Sequence, residues 1–321
     1  MDLLSTLKFV RGAVANKVAN LEMKHFLIEN GHIRATNGTI TIGAPIDFPT
    51  NCAPHADTFY KAIGKCKDVV SLKYLEKTDR ISVASGKFRA FVPCVDPTGL
   101  HPKPSGTHVD IDGQHLYDAF ERLEKFVGND EFRPWAQGIL LRDQSALATN
   151  NVCLVEYWIG VQLPFIANVP LPAVKEVLAA GVPSNLLMDT GSVTFLYDDG
   201  RWIKAQLFET SWPDLSHILN VESAQTPIPP DLFEGLKAVK DFSDKDDRRV
   251  WFRNGCIAAT PEAIEDGAEY TVEGIHHEGI YRAEMLALLQ GVATTADFSR
   301  YPEPVVFYGD RMRGALLGLR T

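Results

Sequence analysis

Apolar residues recur at helical spacing near the start of the chain, where Leu3, Leu4, Leu7, Val10 and Val14 share one face. The spacing returns at Leu116, Ala119, Phe120, Leu123 and Val127, and again at Leu232, Phe233, Leu236 and Val239. Each stripe predicts an amphipathic helix with one buried face. Shorter stripes lie between them: Phe59, Ala62, Ile63 and Cys66; then Val174, Val177 and Leu178; then Met285, Leu286 and Leu289.

Between the helices the pattern changes to short apolar runs broken by turn residues, and these runs repeat. Residues 28–37 read IENGHIRATN, 141–150 read LRDQSALATN and 252–261 read FRNGCIAATP, aligned without gaps. In each, an apolar run meets a polar turn at Asn30-Gly31, Asp143-Gln144 or Asn254-Gly255, and a second run closes on Ala-Thr. Asn-Gly between apolar runs predicts a β-hairpin, because both turn residues take positive φ there. A second marker follows in each copy: GKFRAF from Gly86, GRWIKA from Gly200 and DRMRGA from Asp310.

The order helix, strands, helix, strands thus occurs three times, which predicts an α+β chain of three like domains. Pro/Gly-rich stretches at 96–108 and 220–231 place the boundaries at 1–106, 107–226 and 227–321. The β-type run that starts at Gly200 is expected to stop at Trp212-Pro213, since proline cannot extend a ladder.

Composition narrows the function. A 45% hydrophobic share can fill several cores, and a net charge of -9 argues against a generally basic nucleic-acid binder while leaving room for a local basic surface. The five cysteines, at 52, 66, 94, 153 and 256, form no C-x-x-C pair, so neither a disulfide framework nor a zinc site is indicated and a reducing cytoplasm is expected. The first residues do not read as a signal peptide, and residues 163–182 are too interrupted to span a membrane. No G-x-S-x-G, Walker or G-x-G-x-x-G arrangement occurs, so an enzyme is not expected, nor a cofactor or metal. His276-His277, read as strand neighbours on opposite faces, are expected at the surface; Asn37-Gly38-Thr39 and Asp198-Asp199 are expected in turns, and Asp246-Asp247 in a solvated loop.

Taken in order, several segments resemble the bacterial-type DNA sliding clamp, the beta subunit of the replicative polymerase holoenzyme, in a phage-encoded version. They are LLSTLKFVRGAVANK at 3–17, ADTFYKAIGKCK at 56–67 and SGKFRAFVP at 85–93 in the first repeat. LATNNVCLVEYWIG at 147–160, VPLPAVKEVL at 169–178 and AQLFETSWPDLSHIL at 205–219 follow in the second, and GALLGLRT closes the chain. The likeness is loosest over 244–278.

The resemblance implies three DNA-clamp domains, each with two helices packed on antiparallel sheets, and a head-to-tail homodimer closed into a six-domain ring around duplex DNA. The function implied is a polymerase processivity factor in the cytoplasm of a bacterium or a phage-infected host, with DNA polymerase, clamp loader and other clamp-motif peptides as partners. The first repeat would meet the third repeat of the other chain near residues 87–93 and the helix ending at Phe242.

DNA would be met by Lys8, Arg11, Lys17, Lys61 and Lys65, by Arg122, Lys125 and Lys175, and by Lys237, Lys240 and Arg282. In the second repeat Glu121, Glu124 and Glu176 dilute the positive charge. A groove for partner peptides would be lined by Thr149, Asn151, Val152, Cys153 and Leu154, by Pro213, His217 and Ile218, and by Leu316, Leu317, Gly318, Leu319 and Arg320. The family commonly carries Gly-His-Arg where Asn151-Val152-Cys153 stands and arginine at His217, so a different peptide preference is expected. The alternative is a clamp-fold interaction module that binds replication-protein peptides without encircling DNA.

Overall fold

The computed structural model describes residues 2–15, 22–96, 101–209, 211–245, 248–253, 255–262 and 267–320. The chain divides into two compact units, Met1–Tyr117 with Val169–Glu209, and Asp118–Asn168 with Thr210–Thr321.

In the first unit a seven-stranded antiparallel sheet runs in the order Leu27–Glu29, His32–Thr36, Ile40–Pro45, Trp202–Gln206, Ser192–Leu196, Asn185–Asp189, Thr107–Val109. A four-stranded sheet runs Ala53–Pro54, Phe88–Val95, Arg80–Ser85, Ser71–Leu75. Helices Leu3–Val10 and Ala56–Ile63 pack on each other and bury Leu7, Val10, Phe59, Ala62 and Ile63. Helix Leu171–Ala180 buries Ala173, Val174 and Val177.

In the second unit the strands Gly138–Arg142, Ser145–Thr149, Cys153–Trp158, Met312–Leu316, Val305–Gly309, Thr295–Asp297 and Thr226–Pro227 lie side by side. A four-stranded sheet follows the order Glu269–Thr271, Cys256–Ala258, Arg249–Arg253, Gly279–Arg282. Helix Leu232–Val239 buries Leu232, Leu236 and Val239. Helix Gly113–Leu123, whose residues up to Tyr117 belong to the first unit, contributes Leu116, Ala119, Phe120 and Leu123 to the buried set.

The strand pairs of the three expected hairpins are present: Glu29 faces His32, Arg142 faces Ser145 and Arg253 faces Cys256, while Asn254 lies outside the described residues. Asn30 and Gly31 take φ of 52° and 72°, the left-handed values a two-residue turn requires. Behind the recurring Ala-Thr-Asn lies recurring chemistry. The Thr36 hydroxyl donates to the Ile40 carbonyl at 3.0 Å, and Asn37 Oδ1 accepts from the Thr39 and Ile40 amides. One repeat on, the Thr149 hydroxyl donates to the Cys153 carbonyl at 2.7 Å, and Asn150 Oδ1 accepts from the Val152 and Cys153 amides. These side chains replace the backbone partners a tight turn lacks. Thr149→Val leaves the Asn151 amide without its hydroxyl acceptor and is expected to lower unfolding stability by about 1 kcal/mol, read by urea titration.

Some patterns run past their elements. The first helix stops at Val10, a 3-10 turn follows over Arg11–Ala13, and Val14 is extended; Leu4, beside the buried stripe, is 39% exposed. In the second repeat it is Phe126, after the helix, that is fully buried, while Val127 is extended. The strand from Trp202 ends at Gln206, well short of Trp212-Pro213. Its partners give out there: Ile40 and Ser192 are the first residues of the flanking strands, so the ladder stops before the proline is reached. His276 and His277 lie in a turn region before Gly279–Arg282 instead of on a strand, and both are exposed. Asp198 and Asp199 sit in the hairpin that joins Leu196 to Trp202, whereas Asp246 and Asp247 lie outside the described residues.

The two Pro/Gly-rich stretches do more than space the repeats. Each carries a short strand, Thr107–Val109 or Thr226–Pro227, that pairs antiparallel with Asn185–Asp189 or Thr295–Asp297 respectively. The first of these is held further by Lys204, whose Nζ donates to the Lys103 carbonyl and lies 2.6 Å from the Ser105 hydroxyl.

A second regularity concerns how sheets pass from repeat to repeat. The last strand of the second repeat, Trp202–Gln206, pairs with Ile40–Pro45 of the first. In the same way Met312–Leu316, the last strand of the third repeat, pairs with Cys153–Trp158 of the second, where Arg313 Nε donates to the Glu156 carboxylate at 2.7 Å.

Candidate functional site

The turn Thr149–Cys153 and the strand after it form one wall of a cleft of about 360 Å³ in the second unit. Its lining is Arg133, Trp135, Thr149, Asn151, Val152, Cys153, Leu154, Pro213, Leu215, Ile218, Pro304, Ala315 and Leu317. The floor is a small apolar cluster, Leu154, Leu219 and Ala315, against which Trp212, Leu215 and Ile218 pack. Trp135 and Trp212 meet edge to face with ring centroids 5.1 Å apart. After the strand Trp202–Gln206 ends, the chain returns through Pro213 to the short helix Ser216–Leu219, whose Ile218 reaches the cleft and whose Leu219 is buried beneath it.

Electrostatics keeps the interior uncharged and the rim polar. Burial pushes the Cys153 thiol up to about 12, so it stays protonated and acts as a small apolar surface. At the rim Arg133 Nη1 donates to Asn151 Oδ1 at 2.8 Å, and Asn151, in turn, donates to Asp130 at 3.4 Å. Asn151 holds φ of 71°, a left-handed value that asparagine tolerates better than most residues. An apolar trough with a few polar groups at its lip suits an extended peptide bearing hydrophobic anchors.

Of the residues expected in the groove, Thr149, Asn151, Val152, Cys153, Leu154, Pro213, Ile218 and Leu317 line this cleft. His217, Leu316, Gly318, Leu319 and Arg320 are not among its lining residues. Leu316 is fully buried opposite Cys153 in the sheet, and His217 is exposed on its short helix. Arg133, Trp135, Leu215, Pro304 and Ala315 join the lining without having been singled out. Trp135 and Arg133 come from the irregular segment around the 3-10 turn Pro134–Gln137, which carries no periodic signal.

The expected DNA contacts are mostly exposed. Lys8, Arg11, Lys61, Lys65, Arg122, Lys125, Lys175, Lys237 and Arg282 are exposed and Lys240 is half-buried; Lys17 lies outside the described residues. Lys8 and Arg11 open onto one depression of about 650 Å³ in the first unit, together with Phe9, Glu176 and Arg201. Arg201, which is not among the expected contacts, packs its guanidinium against Phe9 and Tyr197, and its Nε donates to Asp199 at 2.7 Å. Arg11 donates to Asp57 at 2.8 Å and covers the Tyr60 ring. In the second unit Arg122 donates to the Gly291 carbonyl, and burial together with the charge of Arg122 lowers the Lys125 ammonium's pKa.

Glu176 lies half-buried in the Lys8 depression, and burial pushes its carboxyl above the usual value of 4.5. Its charged form therefore costs the folded state. Stability from this group is highest at acid pH and falls as pH rises from about 4.5 through the raised value. Glu176→Gln is expected to flatten that slope and raise the melting temperature at neutral pH, measured by thermal scans across the acid range.

Sheets joined across repeats, with paired helices set against them, define the sliding-clamp fold. Solved structures this chain is similar to include bacterial DNA polymerase III beta subunits. One is the Pseudomonas aeruginosa sliding clamp bound to griselimycin, at 16% identity with a TM-score of 0.84 over 99% of this chain and 97% of that one. The C. crescentus beta sliding clamp gives 19% identity and a TM-score of 0.85, covering 99% and 96%. The Streptococcus pyogenes beta subunit gives 15% identity and 0.82, covering 99% and 97%. No family model matches the sequence, and no curated protein matches it.

Proposed function

We propose that this protein is a DNA sliding clamp, a non-enzymatic processivity factor that encircles duplex DNA and tethers a polymerase to its template. The observation that carries the reading is the apolar cleft around Cys153 on a chain whose entire length takes the fold of bacterial beta clamps. In this reading the cleft seats the tails of polymerase, clamp loader and other replication proteins. Lys8, Arg11, Lys17, Lys61 and Lys65, with Arg122, Lys125, Lys175, Lys237, Lys240, Arg282 and the added Arg201, hold DNA phosphates weakly. Weak phosphate contacts carry no base sequence and let a ring slide.

The sheet junctions support a head-to-tail pair of chains. The last strand of one repeat joins the third strand of the preceding repeat twice within the chain. The two strands of these kinds left over are Phe88–Val95 of the first repeat and Glu269–Thr271 of the third. Among the described residues, the outer edges of 88–92 and of Glu269–Thr271 have no ladder partner. Joining them between two chains repeats the same junction and closes three-domain chains with boundaries near 106 and 226 into a six-domain ring. Phe91, 48% exposed, and Phe242, 65% exposed, are the apolar surface such a contact would cover. The expected result from light scattering is twice the mass of one chain, falling to a single chain with Phe91→Asp; a wild-type monomer at micromolar concentration would remove the ring from this account.

A further inference from the structure

The three repeats differ at one sheet edge. In the second repeat, the strand after the mid-repeat helix, Asn185–Asp189, is covered by Thr107–Val109. In the third, the corresponding strand Thr295–Asp297 is covered by Thr226–Pro227. Both covering strands end a few residues before the aspartate that precedes the first helix of their repeat, Asp112 or Asp231. The first repeat differs at this edge. The corresponding strand there is Ser71–Leu75, which pairs with Arg80–Ser85 on one side. Among the described residues, nothing pairs with its other edge.

We propose that this edge of Ser71–Leu75 is a docking site for an extended, acidic peptide segment of a partner protein, added antiparallel as an outer strand. An open edge presents a row of amides and carbonyls that a strand can satisfy, and two repeats of this chain satisfy the same edge in that way. Charge selects the occupant. Along residues 65–80 the exposed bases Lys65, Lys67, Lys73, Lys77 and Arg80 outnumber the exposed acids Asp68, Glu76 and Asp79, whereas the whole chain carries a net charge of -9. Lys73, at the centre of the strand, also disfavours a second copy: an antiparallel pairing of the edge with itself sets Lys73 opposite Lys73, and like charges directly opposed destabilise a ladder. Val69, 90% exposed just before the strand, offers the apolar contact that a docked segment would bury.

A synthetic peptide with this chain's own covering sequence, SGTHVDID from residues 105–112, is the probe, and amide hydrogen exchange of the full chain is the readout. The proposal predicts that the peptide slows exchange at residues 71–75. Lys73→Glu should weaken binding by about fivefold, and the peptide SGTHVKIK should bind Lys73→Glu better than the wild type. Leu317→Glu should leave the protection unchanged. Protection confined to the Cys153 cleft or to other strands, or no protection at all, overturns the proposal. So does a concentration-dependent oligomer that protects residues 71–75 without peptide and persists in Phe91→Asp, because a second copy would then be the occupant.

Discussion

Leu317→Glu is expected to weaken capture of extended apolar peptides by at least about thirtyfold while leaving the melting temperature within a degree or two of the wild type. Leu317 is 45% exposed at the lip of the cleft, and its amide donates to the Val152 carbonyl at 2.9 Å, which places the side chain beside the turn that forms the opposite wall. A carboxylate there must either be desolvated by the incoming hydrophobic anchor or keep it out. The backbone bond is indifferent to the side chain, so folding is spared. Fluorescence anisotropy with a labelled hydrophobic peptide measures the first quantity and calorimetry the second. Unchanged affinity would mean that the peptide site lies elsewhere.

The second large effect concerns charge. Lys8→Glu with Arg11→Glu is expected to lower DNA affinity by about tenfold at moderate salt and to reduce the salt dependence by about two released counterions. Both residues face the depression that also holds Arg201, and among the described residues Lys8 makes no side-chain bond that the substitution would break. Arg11 is different, since it bonds Asp57 and covers Tyr60, so part of its charge is already spent inside the protein. Lys8→Glu alone should therefore account for more than half of the effect. Glu176→Lys, in the same depression, should change affinity in the opposite direction. Filter binding over a salt series reads all three, and a flat response to Lys8→Glu would exclude this surface from DNA contact.

How far the sequence announces this arrangement depends on what each feature is made of. The hairpins are legible because a short run of residues contains its own instructions: Asn30-Gly31 supplies positive φ, and Thr36 with Asn37 supplies the hydrogen bonds of the next turn. The stripes are legible as far as Val10, Leu123 and Val239, where they bury one face of a regular helix. Helix ends are less so, since Val14 and Val127 continue the apolar period after the backbone has already become extended.

The cleft falls between these cases. The Thr149–Leu154 wall is written locally in the repeat, and Pro213 and Ile218 stand in the segment 205–219 that carries part of the resemblance. Trp135 and Arg133 could not be read in the same way, because their place depends on where an aperiodic segment is laid against strands far away in the chain. Residues with strong apolar character near residue 316 part company: Leu316, the last residue of its strand, is buried, and Leu317, just past it, lines the cleft. Arg201 shows the same limit on the basic surface, since its neighbours Phe9 and Tyr197 come from separate repeats. The strands hidden in the Pro/Gly-rich stretches carry no legible signal, because two or three residues are too few to show a period.

The most direct test of encirclement is retention of the protein on nicked circular DNA through a wash in molar salt, with and without cutting the circle. A closed ring is held by topology, so the account predicts that protein stays on the circle after electrostatic contacts are screened and leaves once the DNA is made linear. Equal loss from circular and linear DNA, or equal retention on both, would contradict it.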